Sequence, residues 1–430
     1  MNERQVMEYM EQVSAYGIVP GLDSIRELCR ELGDPQKELR FVHIAGTNGK
    51  GSVSAFLAEI LKCAGYRVGR YLSPTLFQYR ERIQVNGSCI TKAALGRGVE
   101  RIKGICDGMV ARGLSHPTPF EIETALGFLY FREKACDVVV LETGMGGLLD
   151  ATNIVENTLA AVLTSVSMDH MQFLGDTPEK IAFQKAGIIK RGCRVVSAVQ
   201  RKEVMEVIRA GAEAMGCPLQ AVKPEMLSHV RYGLEKQSFD YGGLKKLELS
   251  LAGKYQIENA ALAVETVEAL GEQGLSVSEE ALRLGLSRTE WPGRFTLIGK
   301  KPYFIVDGAH NEDAAVRLAE SLEFYFTNKR VIYIMGVLKD KEYEKIIAST
   351  HALADQIITV TPPGNPRALP AYELARAVAE VHCDVTAADS LEEAVEMSRL
   401  LAGKEDVIVA FGSLSFLGRL MKIAGYGKVS

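Results

Sequence analysis

Residues 43–52 read HIAGTNGKGS, a lysine surrounded by three closely spaced glycines. The apolar run RFVHIAG that leads into this stretch predicts a β-strand. Behind it, apolar residues recur at helical spacing until Gly65 supplies a stop, at Val53, Phe56, Leu57, Ile60 and Leu61. The stretch therefore joins a strand to a helix, and the N-terminus of a helix is a place where phosphate can bind.

The loop resembles the P-loop pattern G-x-x-x-x-G-K-[ST], although it departs from it twice. Ile44 stands where the first glycine belongs, and Gly51 separates Lys50 from the hydroxyl of Ser52. In a P-loop, backbone N–H groups wrap the phosphates while the lysine neutralises charge. The context predicts a nucleotide loop, and a glycine-rich turn that binds nothing is the alternative.

Composition indicates an ordinary globular protein of two domains. The 430 residues carry 47% hydrophobic and 24% charged residues and a net charge of −4, without the basic clustering of nucleic-acid binders. The N-terminus has no apolar signal core, and no apolar window predicts a membrane span. Eight cysteines without a CxxC pair suit reduced thiols. We expect a cytoplasmic monomer with no nucleic-acid or membrane partner, in which any metal has oxygen or histidine ligands.

Alternating β-rich and helical stretches predict an α/β fold. Near-continuous apolar runs at 136–142, 159–167 and 194–199 are typical of strands buried on both faces. Residues 244–253 alternate instead, which predicts a more exposed antiparallel piece at the edge of this first domain, and a long helix follows at 256–271.

The stretch RTEWPGRF (288–295) interrupts this alternation and predicts a domain boundary. We expect residues 1–290 to form a P-loop nucleotide-binding domain with a mostly parallel sheet. We expect residues 296–430 to form a smaller, Rossmann-like α/β domain, with strands at 303–308, 330–336, 356–361 and 406–412.

Polar residues end three further apolar strands. Glu142 enters a glycine-rich loop, where a carboxylate can face a metal, although a solvated loop carboxylate is the alternative. Asp169 and His170 follow a strand at the same expected sheet edge, as metal ligands or as structural residues. In the second domain, IVDGAHNEDA (305–314) leads into a helix, and its polar residues either cap that helix or bind an anion.

Almost end to end, the sequence resembles the folylpolyglutamate synthase and dihydrofolate synthase family, a branch of the muramyl-type ADP-forming amide ligases. The motifs that carry the resemblance occur in the family's order from about residue 21 to the last strand. They are GLDSIRELCRELGDPQ, HIAGTNGKGS, LSPTLFQYRERI, PFEIETALGFLYF, LETGMGGLLDATN, TSVSMDHMQFLGDTPEKIAFQKAGIIK, KYQIENAALA, WPGRF, DGAHN and FGSLSFLG.

The resemblance implies ATP-dependent ligation of L-glutamate to a reduced folate, to dihydropteroate, or to both. A carboxylate would take the γ-phosphoryl group of ATP, and the amine of glutamate would then displace phosphate through a tetrahedral intermediate. ATP and Mg²⁺ are the implied cofactors, and the substrates are small molecules. The first domain then corresponds to the muramyl-ligase central domain and the second to a C-terminal ligase domain.

The resemblance also assigns site residues by matching motifs. Phosphate contacts fall on Thr47, Asn48, Gly49, Lys50, Gly51 and Ser52, and further ATP contacts on Asn259, Arg294 and Asp307. Magnesium ligands fall on Ser73, Glu142 and His170, and the lysine that the family carbamylates is Lys185. The residues that match the family's pterin-binding positions are Phe120, Glu121, Leu149, Asp150 and Ala151. His310 and Ser413 are the candidates for the glutamate or acyl-phosphate side. Lys50, Lys185, His170 and His310 are the expected catalytic residues.

Four positions differ from the family's usual residues: Thr75, Leu148, Gln184 and Tyr255. None is a proposed metal ligand or the loop lysine. They leave open a shifted pterin specificity, an amide ligase acting on another carboxylate, or a nucleotide-binding paralogue without turnover. A muramyl-peptide ligase is disfavoured because only ~40 residues precede the loop, fewer than a typical additional domain requires.

Overall fold

The computed structural model describes residues 1–16 and 21–427, which form two compact units. Unit 1 consists of Met1–Glu225 and Glu258–Arg288, and unit 2 consists of Met226–Ile257 and Thr289–Ser430. Residues 226–257, which the sequence suggested to be part of the first domain, are thus grouped with unit 2. The last division, between Arg288 and Thr289, falls inside the RTEWPGRF stretch.

Unit 1 is built on one large sheet. Its strands are β1 (Phe41–Ala45), β2 (Val68–Tyr71), β3 (Ile83–Val85), β4 (Ser88–Cys89), β5 (Val138–Glu142), β6 (Thr158–Leu163), β7 (Arg194–Ser197) and β8 (Leu219–Ala221). Their order in the sheet is β4-β3-β2-β5-β1-β6-β7-β8, and all neighbours from β2 to β8 pair in parallel. Only β3 and β4 run antiparallel to their neighbours.

The helices of unit 1 cover this sheet. They are α1 (Glu3–Ser14), α2 (Asp23–Glu31), α3 (Lys50–Cys63), α4 (Lys92–Ala111), α5 (Pro119–Glu133), α6 (Met171–Leu174), α7 (Pro178–Ala186), α8 (Lys202–Met215), α9 (Tyr255–Glu272), which begins within residues of unit 2, and α10 (Glu279–Arg288). The central strands β1 and β5 are buried along their whole length, which explains why their sequences are continuous apolar runs rather than alternating ones.

Unit 2 contains two sheets. Its strands are β9 (Leu227–Arg231), β10 (Gln237–Tyr241), β11 (Leu244–Leu249), β12 (Thr296–Lys300), β13 (Tyr303–Val306), β14 (Val331–Met335), β15 (Gln356–Thr359), β16 (Val385–Ala387) and β17 (Val407–Phe411). Its helices are α11 (Glu312–Tyr325), α12 (Tyr343–Thr350), α13 (Ala371–Ala379), α14 (Leu391–Leu401) and α15 (Leu414–Ile423). The six-stranded sheet has the order β12-β13-β17-β14-β15-β16 and is parallel except for the pair β12–β13. The prediction of two α/β units with mostly parallel sheets is confirmed.

Residues 244–253 form an antiparallel strand as predicted, but at a different place. β11 pairs with β10 in a separate three-stranded sheet, and this sheet is grouped with unit 2. Polar contacts explain the grouping: Gln237 Oε1 accepts a hydrogen bond from Tyr325 Oη at 3.0 Å, and Ser250 Oγ donates to Thr289 O. An alternating pattern identifies a half-exposed strand, but it does not indicate which of the two units the strand packs against.

None of the helices within the described ranges combines the length and the apolar content that crossing a membrane requires.

Candidate nucleotide and ligation site

The register of three neighbouring strands brings the candidate residues of unit 1 to one edge of the sheet. Ile44 in β1 lies opposite Glu142, the last residue of β5. Tyr71, which ends β2, lies opposite Leu141, so Ser73 follows β2 at the same edge. Because the carboxyl ends of parallel strands meet there, the glycine loop, Ser73 and Glu142 share the crevice in which α/β sheets bind ligands.

The first part of the loop is tied to the segment that follows β6. The backbone N–H groups of Thr47 and Asn48 both donate to Ser165 O, at 2.7 and 3.4 Å. The Thr47 hydroxyl donates to Ser167 O at 2.9 Å and accepts from Ser167 N at 3.1 Å. The backbone N–H groups of Thr47 and Asn48 are therefore used to hold the loop in shape. The N–H groups expected to bind phosphate are those of the residues that follow.

Those following residues form the N-terminus of α3. Gly49 caps the helix with φ of 90°, and Val53 N donates to Gly49 O at 2.9 Å as the helix begins. The N–H groups of Lys50, Gly51 and Ser52 belong to this first turn and lie at the positive end of the helix dipole. Asn259 lies directly against the loop, since a Cβ built on Gly49 would come within 2.6 Å of its Oδ1.

Two lysines converge on one carbonyl of this loop. Lys50 Nζ donates to Gly46 O at 2.9 Å and to Thr47 O at 3.2 Å. Lys185 Nζ, which reaches over from α7, donates to the same Gly46 O at 2.7 Å. The sequence predicted a role for each lysine separately, and the fold places their ammonium groups on the same oxygen.

Lys185 is the more perturbed of the pair. Its side chain is buried, and burial together with the nearby charge of Lys50 lowers its pKa to about 7. The carboxylates of Asp169 and Asp150 act in the opposite direction with smaller effect. The amine is therefore available in its neutral, nucleophilic form near neutral pH, unlike an ordinary surface lysine.

Arg70 is a residue at this site that the sequence analysis missed. It lies in β2 and is buried, donating from Nε to Ser54 Oγ at 3.0 Å and from Nη2 to Gly51 O at 3.0 Å. Burial lowers its pKa to about 10, while the charge of Glu142 favours the cation. The available signal was an arginine inside a short strand that leads directly to Ser73.

The expected magnesium ligands differ in the type of donor atom that each side chain carries. The part of the chain that the structure describes contains no cluster of three or more His, Cys, Asp or Glu side chains suited to a metal. The expected set instead combines the Ser73 hydroxyl, the buried carboxylate of Glu142 and the imidazole of His170. Mg²⁺ commonly keeps water and phosphate oxygens and needs few protein ligands, so this small set fits it. His170 has φ of 50° at the start of α6, with Nε2 at 3.8 Å from Asp169 Oδ2.

The residues expected at the pterin end surround the loop that follows β5. Phe120 packs its ring against Gly144, where an added Cβ would come within 2.6 Å of the ring. Asp150 is buried and accepts hydrogen bonds from Met145 N at 2.8 Å and from Thr152 Oγ1 at 2.6 Å. Ala151 is buried beside it, whereas Leu149 is 56% exposed.

Glu121 has a different placement from the others. Its Oε2 accepts from Thr118 N at 2.7 Å, and its own N–H donates to Thr118 Oγ1, which forms a capping box at the start of α5. Its carboxylate is thus engaged in holding the helix that carries Phe120.

The loop after β5 also docks on α7, where two of the unusual residues meet. Leu148 N donates to Gln184 O at 2.7 Å. A Cβ on Gly147 would come within 2.8 Å of both Gln184 O and Lys185 O, so only glycine allows this approach. The substrate loop and the helix that presents Lys185 are therefore in direct backbone contact.

Four candidate residues belong to unit 2. Asp307 follows β13, and its carboxylate accepts from Tyr255 Oη at 2.7 Å, from Phe295 N at 2.8 Å and from Ala309 N at 2.7 Å. Arg294 lies against the same turn, since an added Cβ on Gly308 would come within 2.4 Å of its Nη1. Tyr255, one of the four unusual residues, thus orients Asp307.

His310 and Ser413 lie at the ends of β13 and β17, which are neighbouring strands. His310 Nδ1 is 2.8 Å from Gly308 O. Because a carbonyl oxygen can only accept a hydrogen bond, Nδ1 is the donor. Ser413 caps α15 by accepting from Ser415 N at 3.3 Å. The adjacent strands bring both residues to one edge of the unit 2 sheet.

Comparison with known protein families identifies the class of protein. Residues 44–267 match the Mur ligase middle domain, and residues 293–414 match the Mur ligase glutamate ligase domain. Both matched domains belong to enzymes of one ligase class.

Individual relatives define the family within that class. The chain is 37% identical over 414 residues to the dihydrofolate synthase/folylpolyglutamate synthase of Bacillus subtilis, covering 95% of each chain. It is 32% identical to the enzyme of the same name from Escherichia coli, covering 97% of this chain and 94% of the relative. The Mycobacterium tuberculosis folylpolyglutamate synthase complexed with ADP and AMPPCP is similar over 98% of both chains, with a TM-score of 0.91 at 30% identity. The chain belongs to the folylpolyglutamate synthase/dihydrofolate synthase family of the Mur ligases.

Proposed function

We propose that this protein ligates L-glutamate to a pteroyl carboxylate, with cleavage of ATP to ADP and phosphate. The pteroyl substrate, which receives the phosphoryl group and then donates the acyl group, is tetrahydrofolate, dihydropteroate or both. The observation that carries the proposal is the convergence of Lys50 and Lys185 on Gly46 O, at the mouth of a helix N-terminus that faces the carboxyl edge of the sheet. Relatives named for these reactions cover nearly the whole chain.

Lys50 and the first amides of α3 would bind the β- and γ-phosphates of ATP. In the structure Lys50 donates to two carbonyls of its own loop, so its ammonium is held within reach of the phosphates and exchanges these weak partners for an anion. Phosphoryl transfer depends mainly on positioning and charge stabilisation, which these groups supply. Ser73, Glu142 and His170 would hold Mg²⁺, which when bound neutralises charge on the phosphates.

Lys185 is proposed to be carbamylated. Carbamate formation requires attack of a neutral amine on CO₂, with release of one proton, and the lowered pKa of about 7 makes the neutral amine accessible. The product would replace a cation by an anion next to the loop. Mass spectrometry under native conditions with labelled bicarbonate, together with activity in bicarbonate-free buffer, tests this assignment. Absence of the added mass and full activity without bicarbonate would contradict it.

The pteroyl group would lie against Phe120, Asp150 and the exposed Leu149. The matching motifs assign Arg294, Asp307 and His310 to nucleotide and acyl-phosphate binding. The amine of glutamate then attacks the acyl carbon, phosphate leaves, and the amide forms. Ser413 is assigned to the glutamate side of this step.

Phosphate release in the presence of ATP, glutamate and either tetrahydrofolate or dihydropteroate tests the proposal. We expect ADP formation that requires both glutamate and one of the pteroyl substrates. The side-by-side comparison determines which pteroyl substrate is used. ATP binding without such dependent turnover would indicate a paralogue without ligase activity, and turnover with a different carboxylate would indicate a related amide ligase.

A further inference from the structure

A chain of three buried polar side chains connects the strand of the nucleotide loop with the substrate loop. His43 lies in β1, three residues before Gly46, and its Nε2 is 2.9 Å from Thr152 Oγ1. Thr152 Oγ1 in turn donates to Asp150 Oδ1 at 2.6 Å. His43 and Thr152 are fully buried, and the surrounding cluster is apolar, with Phe41, Leu141 and Ala151 among its members.

The direction of the hydrogen bonds in this chain can be deduced. A threonine hydroxyl has one proton, and here it is directed to Asp150, so His43 has to donate from Nε2 to the threonine oxygen. His43 is therefore the neutral Nε2–H tautomer, and burial lowers its pKa to about 3, which keeps it neutral. Its Nδ1 has no hydrogen-bond partner among the described residues, and a bare acceptor is tolerated there more readily than a buried N–H.

If the Thr152 hydroxyl donated to His43 instead, Asp150 would have to be protonated to donate to Thr152. The proton of His43 would then lie on Nδ1, where it has no acceptor among the described residues. The lack of a partner at His43 Nδ1 among the described residues therefore favours the first direction, and with it an ionised Asp150, even though burial raises the pKa of that carboxyl. Met145 N and Thr152 N donate to the same carboxylate, so its two oxygens have fixed orientations. An anion fixed in this way is a directional acceptor for the ring N–H and amino groups of a heterocyclic substrate.

We propose that His43 and Thr152 are positioning residues for the pteroyl substrate, which act through Asp150 by holding its carboxylate ionised and oriented toward the heterocycle. The inference rests on the proposed function, because that function supplies the substrate. The side-chain hydrogen bonds of His43 and Thr152 lead to Asp150 and not to the lysines of the nucleotide loop, so we expect their loss to weaken binding of the pteroyl substrate and to leave binding of ATP largely intact.

The decisive pair of variants is Thr152→Val and Thr152→Ser. Valine has the shape of threonine without the hydroxyl, whereas serine keeps the hydroxyl. We expect Thr152→Val to raise the KM for the pteroyl substrate by about tenfold, the loss typical of a hydrogen bond to a charged group, with kcat and the KM for ATP changed by no more than about twofold. Thr152→Ser should restore the pteroyl KM to within about threefold of the wild-type value.

A second pair tests the histidine. Gln at position 43 can donate from its side-chain amide, and Leu cannot, so His43→Leu should raise the pteroyl KM and His43→Gln should recover part of the loss. Thermal unfolding of all four variants reports whether they fold, and if Thr152→Val does not, the His43 pair decides. Equal pteroyl KM values within both pairs, or an equal rise in the KM for ATP, would overturn the inference.

Failure of the proposed function gives a different result. Wild-type protein that forms no ADP in a pteroyl- and glutamate-dependent manner contradicts the ligase assignment. The same variants are then compared by calorimetric binding of tetrahydrofolate and dihydropteroate. A wild-type protein that binds neither compound also overturns the positioning inference, whereas binding that weakens in Thr152→Val and recovers in Thr152→Ser supports it.

Discussion

Gly46 O has an unusual environment for a single carbonyl, because it accepts from two lysine ammonium groups. The like charges repel each other, and this repulsion adds to burial in lowering the pKa of Lys185. A phosphate placed between them relieves the repulsion, and carbamylation of Lys185 would remove it by replacing one of the two cations with an anion. The pair is therefore preorganised for an anionic ligand.

Replacement of Lys50 by alanine should remove most of the catalysis without unfolding the protein. We expect the rate of ADP formation to fall by about a hundredfold or more, because one charge that stabilises the transferring phosphoryl group is lost. Coupled-enzyme detection of ADP measures it. Lys62→Ala is the matched control, since Lys62 lies in the same helix and pairs with Glu59 at its surface. A near-normal rate in Lys50→Ala would refute the phosphate assignment.

Replacement of Lys185 by methionine should stabilise the fold in a pH-dependent manner when bicarbonate is absent. The folded-state pKa of about 7 lies below the ordinary value of 10.5, so the unfolded wild-type chain binds the extra proton between these values. Wild-type stability therefore falls as the pH is lowered from 10.5 to about 7, and the variant lacks this loss.

The gain in the free energy of unfolding caused by Lys185→Met should thus grow as the pH falls toward neutral. It should level off below neutral pH at about a few kcal/mol. Urea unfolding at a series of pH values measures it. Lys180→Met, on the exposed face of the same helix, is the control and should show no such trend. A stability difference that is independent of pH would contradict the lowered pKa.

At this scale the sequence predicted the identities of Lys50, Lys185 and Glu142 through their motifs. It did not predict Arg70, because a buried arginine in a four-residue strand has no periodicity of its own. It also did not predict the linkage of His43 to Asp150, since hydrogen bonds between residues that are distant in sequence depend on the register of strands and loops.

Among the elements, α3 carries the nucleotide loop at one end and a conventional stop at the other. Gly49 precedes its first turn with φ of 90°, and Gly65 follows its last turn with φ of 92°. An added Cβ at Gly65 meets nothing within 4 Å, whereas at Gly49 it would come within 2.6 Å of Asn259 Oδ1. The two glycines have the same backbone conformation and differ in their surroundings.

Alanine at each of these positions separates backbone strain from the role of Asn259. Both Gly49→Ala and Gly65→Ala should lose about 1 kcal/mol of stability from the left-handed conformation. Only Gly49→Ala should also raise the KM for ATP, by about tenfold, because the methyl group displaces the Asn259 side chain from the loop. Thermal melts and steady-state kinetics measure the two effects. Equal ATP KM values in the two variants would contradict a nucleotide role for this contact.

The sequence predicted β1, β5, β7, α3 and α9 because long apolar runs or clear helical spacing specify them. It missed β9 and β10, whose residues are largely polar or half-exposed, and it placed β11 at the edge of the first domain, whereas β11 is grouped with unit 2. Local patterns specify such strands weakly, and their partners are chosen by tertiary contacts.

For the molecule as a whole, unit 2 includes residues 226–257, a segment that precedes the last part of unit 1 in the sequence. Tyr255 from that piece donates to Asp307, and Lys254 N donates to Ser321 Oγ at 3.3 Å. Rings of Tyr232 and Phe324 also lie 5.0 Å apart. Residues 226–257 are therefore an integral part of unit 2.

Replacement of Tyr255 by phenylalanine should destabilise unit 2 by about 1–3 kcal/mol, because the buried carboxylate of Asp307 loses a donor. The single tryptophan of the chain, Trp291, lies in unit 2, so its fluorescence reports the unfolding of that unit. Tyr303→Phe, at the half-buried start of β13, is the control and should change little. An unchanged urea midpoint in Tyr255→Phe would argue against the role of this hydrogen bond.

The divided sequence of unit 2 has a consequence for synthesis on the ribosome. Residues 226–257 leave the exit tunnel before α10 of unit 1, yet the unit 2 residues that they contact, among them Thr289, Asp307 and Tyr325, are translated later. Domains generally fold as units while the chain emerges. The nascent β9–β11 segment therefore lacks these partners until the chain has been made as far as Tyr325, and a chaperone would have its greatest effect on yield during this interval.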